Sequence, residues 1–139
     1  MQENIIRDAH SENWLDIFCQ SQDFFVEEET IRKFAEEGVA FGGFHSRKDY
    51  ERILRQTIIN YADNIIKFIE GKAPIRTIVA EYSENVGYII RNNKKTNVTS
   101  VKIVLIKDKK NVSKYGFLIS NFAPCQSTER SDYENESKN

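Results

Sequence analysis

At Gly71-Lys72-Ala73-Pro74 the hydrophobic period of this chain changes, and that change decides its fold class. Before it, Tyr50, Ile53, Leu54, Ile58, Tyr61, Ile65 and Phe68 recur at helical spacing, one face of a helix of some twenty residues. Ser46, with Asp49 three residues on, forms the acidic variant of a capping box, so the helix starts there; Gly71 and Pro74 stop it. Two earlier segments, 13–22 and 27–37, also carry helical spacing, whereas the stretch before residue 13 reads as loose chain. After the break come β-branched or alternating runs at 75–82, 86–91, 99–107 and 115–122, separated by polar turns. Residues 75–82 and 86–91 read as a hairpin about Ser83-Glu84-Asn85, and 92–97 as a basic loop. Helices followed by strands predict an α+β domain, with N-terminal helices (13–70) packed on a four-stranded antiparallel meander (75–122).

A chain of 139 residues, 40% apolar with nine Phe and six Tyr, has material for one core, expected over residues 1–125. The remainder, 126–139, is polar and reads as a disordered tail. No run approaches the roughly 20 apolar residues of a membrane span, so no membrane partner is expected. The N-terminus lacks the basic-then-apolar layout of a secretory signal. The expectation is a cytoplasmic protein, or one delivered to a target cell's cytoplasm inside a larger effector. Cys19 and Cys125 have no metal-like spacing and read as free thiols. With only two histidines and no carboxylate cluster, neither a metal nor another cofactor is expected.

Charge is sorted along the chain. Residues 1–45 carry ten acids and three bases (−7), residues 46–125 fifteen bases and seven acids (+8), and the tail four acids and two bases (−2). The later part can therefore meet a polyanion although the whole chain is −1. Cutting RNA without a metal needs a proton-transfer pair and cations around the transferring phosphate. His45 is the first candidate for proton transfer, because it sits just before a capped helix N-terminus, which favours anions. Arg52 and Arg55 follow on one face of that helix. Tyr88, Arg91 and Lys102 are candidates for a ligand-facing sheet surface, and Tyr115 for stacking a base. His10 is the weaker alternative, and all of these positions equally suit a solvated surface or, for the tyrosines, a core.

Three stretches give the chain a wider resemblance. EEGVAFGGFHSRKDYERI (36–53), NVGYIIR (85–91) and SVKIVLIKDKKNVSKYGFLISNFAP (100–124) are similar to the glycine turn with capped helix, the second strand and the closing hairpin of small bacterial ribonuclease toxins. These are the barnase, EndoU, colicin and RelE-type nucleases, including the RNase A-like toxins of contact-dependent inhibition. The resemblance implies a metal-independent endoribonuclease that cleaves tRNA or mRNA through a 2′,3′-cyclic phosphate and has a cognate immunity protein. It assigns Ser120 the hydroxyl of the closing strand, beside His45 and Arg52 as catalytic groups, with Asn121 facing the other way. The chain departs from the pattern at 30–34, where no histidine stands, and at Phe122, where one branch has a catalytic tyrosine. Those departures imply the alternative: a non-catalytic immunity or inhibitor protein on a toxin-like scaffold, whose partner is a toxin.

Overall fold

The computed structural model describes residues 1–35 and 38–126; the expected tail lies almost wholly outside the described residues. Among those residues are five helices: α1 (Gln2–Ala9), α2 (Trp14–Cys19), α3 (Glu28–Phe34), α4 (Arg47–Asn60) and α5 (Ala62–Glu70). Six strands accompany them: β1 (Phe41–Gly43), β2 (Ile75–Glu81), β3 (Gly87–Arg91), β4 (Lys94–Val98), β5 (Ser100–Lys107) and β6 (Phe117–Cys125). The protein is α+β, and its strands form two antiparallel three-stranded sheets, β1-β3-β4 and β2-β5-β6, where one four-stranded meander was expected.

The long helical segment begins as its sequence predicts, with the Ser46 hydroxyl accepting from the Asp49 N–H at 3.1 Å. It is divided at Tyr61, yet the hydrogen-bond ladder continues through the kink, Tyr61 N–H to Thr57 O and Ile65 N–H to Tyr61 O. Thr57, fully buried, donates back to Ile53 O at 2.7 Å, a bond that bends helices. The N-terminus is not loose: Gln2–Ala9 is helical, with Ile5 and Ala9 fully buried one turn apart. Lys107 caps the far end of α5, donating to the carbonyls of Phe68, Ile69 and Gly71. A cation at these unpaired carbonyls also opposes the negative end of the helix dipole.

The expected hairpin between 75–82 and 86–91 does not form. β2 pairs with β5 and β3 with β4, so both face the same returning ribbon. The chain turns a corner: Tyr82 N–H donates to Thr99 O at 2.9 Å and Val86 N–H to Val98 O at 3.0 Å. There the strand pair passes from one sheet to the other, as strands do at the corners of packed sheets. The true hairpin turn is Asn92-Asn93, both residues left-handed at φ 52° and 66°, closing the Arg91–Lys94 pair. The basic loop expected at 92–97 is therefore a turn plus an edge strand whose side chains are almost all exposed.

β5 is the central strand of its sheet, buried on the face toward the helices and partly open on the other. Its Val101, Ile103 and Leu105 join Ile78 and Ala80 of β2 and Phe117, Ile119 and Phe122 of β6 in the main core beneath the helices. β6 carries a bulge: Val104 pairs with Asn121 but Leu105 with Ile119, leaving Ser120 as the extra residue. Ser120 and Asn121 are consecutively exposed, and the bulge restores the phase so that Phe122 faces the core as Ile119 does. Pro124 does not stop this strand. β6 has a free edge, where a missing N–H is tolerated.

The two sheets meet where β6 passes β1 and β3. A Cβ at Gly42 would lie 2.0 Å from Pro124 O, and one at Gly87 2.4 Å from Pro124 Cγ. Gly42→Ala forces this backbone contact apart and should cost about 1–3 kcal/mol, the scale of overpacking. The check is the urea midpoint at unchanged m-value. An unaltered midpoint would show that the sheets do not depend on this approach.

Candidate functional site

His45, between Phe44 and the cap of α4, is exposed; its Nε2 lies 3.3 Å from Asn85 Oδ1 and its ring 5.4 Å from that of Tyr88. Arg52 reaches the same connection between β2 and β3, bonding Glu84 at 2.7 Å and pairing with Asp49 at 3.6 Å. His45, Arg52 and Tyr88 therefore gather around residues 82–86. Tyr88 is buried, 1% exposed, in a small core with Ile31, Ala35 and Ile90, and Lys95 Nζ lies 4.6 Å from its ring centroid. Burial pushes its phenol up to about 12. Its ring faces core and cation, not solvent. Arg91 is exposed at the hairpin turn.

The other candidates lie elsewhere. Ser120 is exposed at the bulge, its hydroxyl directed to Val104 O at 3.4 Å. Lys102, on β5, is half-buried on the sheet face away from the helices, where Val104 and Ile106 are also partly open. Tyr88 and Arg91 belong to one sheet and Lys102 and Ser120 to the other, because the ribbon changes sheets at Thr99. Arg55 lies over the Trp14 ring at 4.9 Å. Tyr115 stacks on Phe18 at 5.8 Å and bonds the Asp8 carboxylate, so it ties the β5–β6 connection to α1.

Two concavities stand out. The first is a groove of about 440 Å³ walled by Phe24 and Val26, by Ile31 and Phe34 of α3, and by 39–42, with Lys102 and 121–126 completing it. Phe34, Val39 and Phe41 stand at its rim 55%, 57% and 37% exposed, and the Phe34 and Phe41 rings are 5.5 Å apart. Solvent-exposed aromatic rings in mutual contact beside a groove are a feature of protein-binding surfaces. Sequence reasoning missed this wall. Helical spacing alone puts Phe34 on one stripe with the buried Ile31 and Ala35, and the position of α3 beside β1 leaves it half open. The second concavity, about 480 Å³, lies between α1, α2 and α4 and brings together His10, Trp14, Lys48, Glu51, Arg52 and Arg55. It unites Arg52 and Arg55, as helix phase predicts, with a histidine from the segment read as loose.

Among the described residues no three His, Cys, Asp or Glu side chains are grouped to hold a metal ion. No described helix is long and apolar enough to cross a membrane. Cys19 and Cys125 are buried and neither is in a disulfide; burial, with Asp23 nearby, pushes the Cys19 thiol up to about 12.

No protein-family model matches the sequence, and no curated protein matches it. The fold is similar to a chain of a CdiA-CT/CdiI complex from Y. kristensenii 33638, with a TM-score of 0.62. The two are 15% identical over an alignment covering 83% of this chain and 99% of that one. The likeness is one of fold, to a chain from a toxin–immunity complex.

The Tyr115 anchor makes a pH prediction. Hydrogen bonds from Lys114 and then Tyr115 hold the Asp8 carboxyl below its ordinary 3.8. A depressed carboxylate contributes stability that is complete above its unfolded pKa and is lost as pH falls through the folded value. The stability difference between wild type and Asp8→Asn should therefore be constant from pH 7 to about pH 5 and shrink below about pH 4. Urea unfolding at stepped pH measures it; a difference independent of pH would remove Asp8 from the acid limb.

Proposed function

We propose that this chain is a non-catalytic member of the toxin–immunity class, an inhibitor-type protein that sequesters a partner protein through the groove between α3, β1 and β6. The observation that carries the reading is the chemistry of that groove. Its walls are Phe24, Val26, Ile31 and Phe34, its rim exposes Phe34, Val39 and Phe41, and among the described residues Lys102 is the one cationic side chain that lines it. A cleft for a scissile phosphate needs converging cations and a proton-transfer pair. The helix that walls it carries as many acids as bases, Glu28 and Glu29 against Arg32 and Lys33, and Glu28 pairs with Arg32 and Lys95, so it adds no net positive charge beside the groove. An apolar, aromatic lining suits an inserted side chain of a partner protein. The fold likeness to a chain that crystallised within a toxin–immunity complex supports the same class. So do the departures of the chain from the ribonuclease pattern, Phe122 and the histidine-free 30–34 segment.

Two measurements test it on the full chain. Purified protein incubated with total RNA in EDTA should leave the RNA intact, and His45→Ala and Ser120→Ala should behave as wild type. Cleavage by wild type that either substitution abolishes would sink the reading in favour of a metal-independent ribonuclease. Co-expression with the toxin domain it sequesters should rescue growth of cells poisoned by that domain. Phe41→Asp should weaken that complex by about 30-fold or more, the loss expected for an interface anchor worth about 2 kcal/mol.

A further inference from the structure

The second concavity has a different chemistry from the groove and shares no lining residue with it. Lys48, Arg52 and Arg55 follow one another at four- and three-residue spacing along α4, so one helix face presents three cations to a cavity of about 480 Å³. Like charges at such spacing oppose each other by a few tenths of a kcal/mol per pair when nothing lies between them. Arg52 is compensated by Glu84 and Asp49. The others are not. The side chains of Lys48 and His10 make no hydrogen bond or ion pair with any described residue. Arg55 has only the Trp14 ring, 4.9 Å below its guanidinium, and its Nε is buried without a hydrogen-bond partner. Among the described residues Glu51 is the one carboxylate in the lining.

We propose that this cavity binds a small anion carrying two linked phosphoryl groups. A guanidinium held over an aromatic ring is restrained, and its planar fork bonds phosphate or carboxylate oxygens in pairs. Lys48 and Arg55 are seven residues apart, about 10 Å along the helix axis. Two phosphoryl groups in tandem span the gap between their converging side chains more fully than one. With Arg52 neutralised, Lys48 and Arg55 offer two positive charges against Glu51, and the His10 imidazole adds a donor. The face of Trp14 is occupied by Arg55, so an aromatic base has no stacking partner there, and the phosphoryl groups carry the recognition. This site is independent of the partner-binding reading and stands or falls separately from it.

Trp14 is the sole tryptophan of the chain, so its fluorescence reports on the cavity directly. Titration of the full-length protein with inorganic pyrophosphate should give a saturable change, with inorganic phosphate at least about tenfold weaker. The pyrophosphate affinity should fall between 50 and 200 mM salt, as exposed cation–phosphate contacts do. ADP matching pyrophosphate would show that the diphosphate alone is read; ADP binding tighter would show that the cavity also takes the nucleoside. Arg55→Gln and Lys48→Gln should each weaken pyrophosphate about tenfold or more. Lys48 is exposed and its substitution leaves the core untouched, so a folding defect in Arg55→Gln would not obscure the result. No saturation by 10 mM pyrophosphate, or equal binding by wild type and Lys48→Gln, would overturn the proposal.

Discussion

The architecture rests on a contact with no room in it. Pro124 of β6 lies against the backbone at Gly42 and Gly87, where no side chain fits. That approach brings the end of one sheet under the other and so joins two small sheets into one body. A sheet this small is stable only with an apolar face that is covered, and each here has one. The β2-β5-β6 sheet takes the helices, and β1-β3-β4 takes α3 through Ile31, Ala35, Tyr88 and Ile90. The apolar groove is a consequence of the same contact. With β6 passing beneath β1, residues 121–126 become its floor, and α3 with 39–42 becomes its wall.

Packing and hydrogen bonding at buried positions contribute more here than the ion pairs. Most of the pairs join side chains that are a third or more exposed, such as Arg47 with Asp23 and Arg52 with Glu84, and such pairs contribute at most about 1 kcal/mol. Three ties are better placed. Lys107 caps α5 from β5, Asp8 takes bonds from Lys114 and Tyr115, and Thr57 joins Tyr82 at 2.6 Å. Each links an element of the helical layer to the strands or their connections, across 25 to 107 residues of sequence. They orient the layer that the hydrophobic core holds down.

The chemistry divides in the same way. Cations from the basic part of the chain are dispersed: Arg52 to the corner loop, Lys95 to Glu28, Lys107 to a helix end, Lys114 to Asp8. A run of lysines in sequence becomes a set of separate ties in space. Lys48 and Arg55, with no acidic partner among the described residues, lie along one face of α4, while the apolar groove lies beside α3. Two surfaces of different chemistry, one apolar and one cationic, thus lie apart on one small domain.

The sequence by itself determined the elements with strong local signals. The capped helix from Ser46, the central strand with its buried alternation and the short helices α2 and α3 all follow from periodicity and capping, which act over a few residues. It also determined that Arg52 and Arg55 share a face, since helix phase is local. Other elements carried weaker signals. α1 has only Ile5, Ile6 and Ala9 to mark it, and β4 has no alternation because an edge strand is held by backbone pairing. Asn92-Asn93 was a legible hairpin signal, yet the polar residues around it read as loop. Tertiary structure alone decided the partition into two sheets, because a corner at Thr99 costs no particular residue type. It also decided that Tyr88 is core, that Phe34 is half open, and that His10 and Trp14 join Lys48 and Arg55 in one cavity. Those outcomes depend on which distant surfaces meet, and no local pattern of residues encodes that.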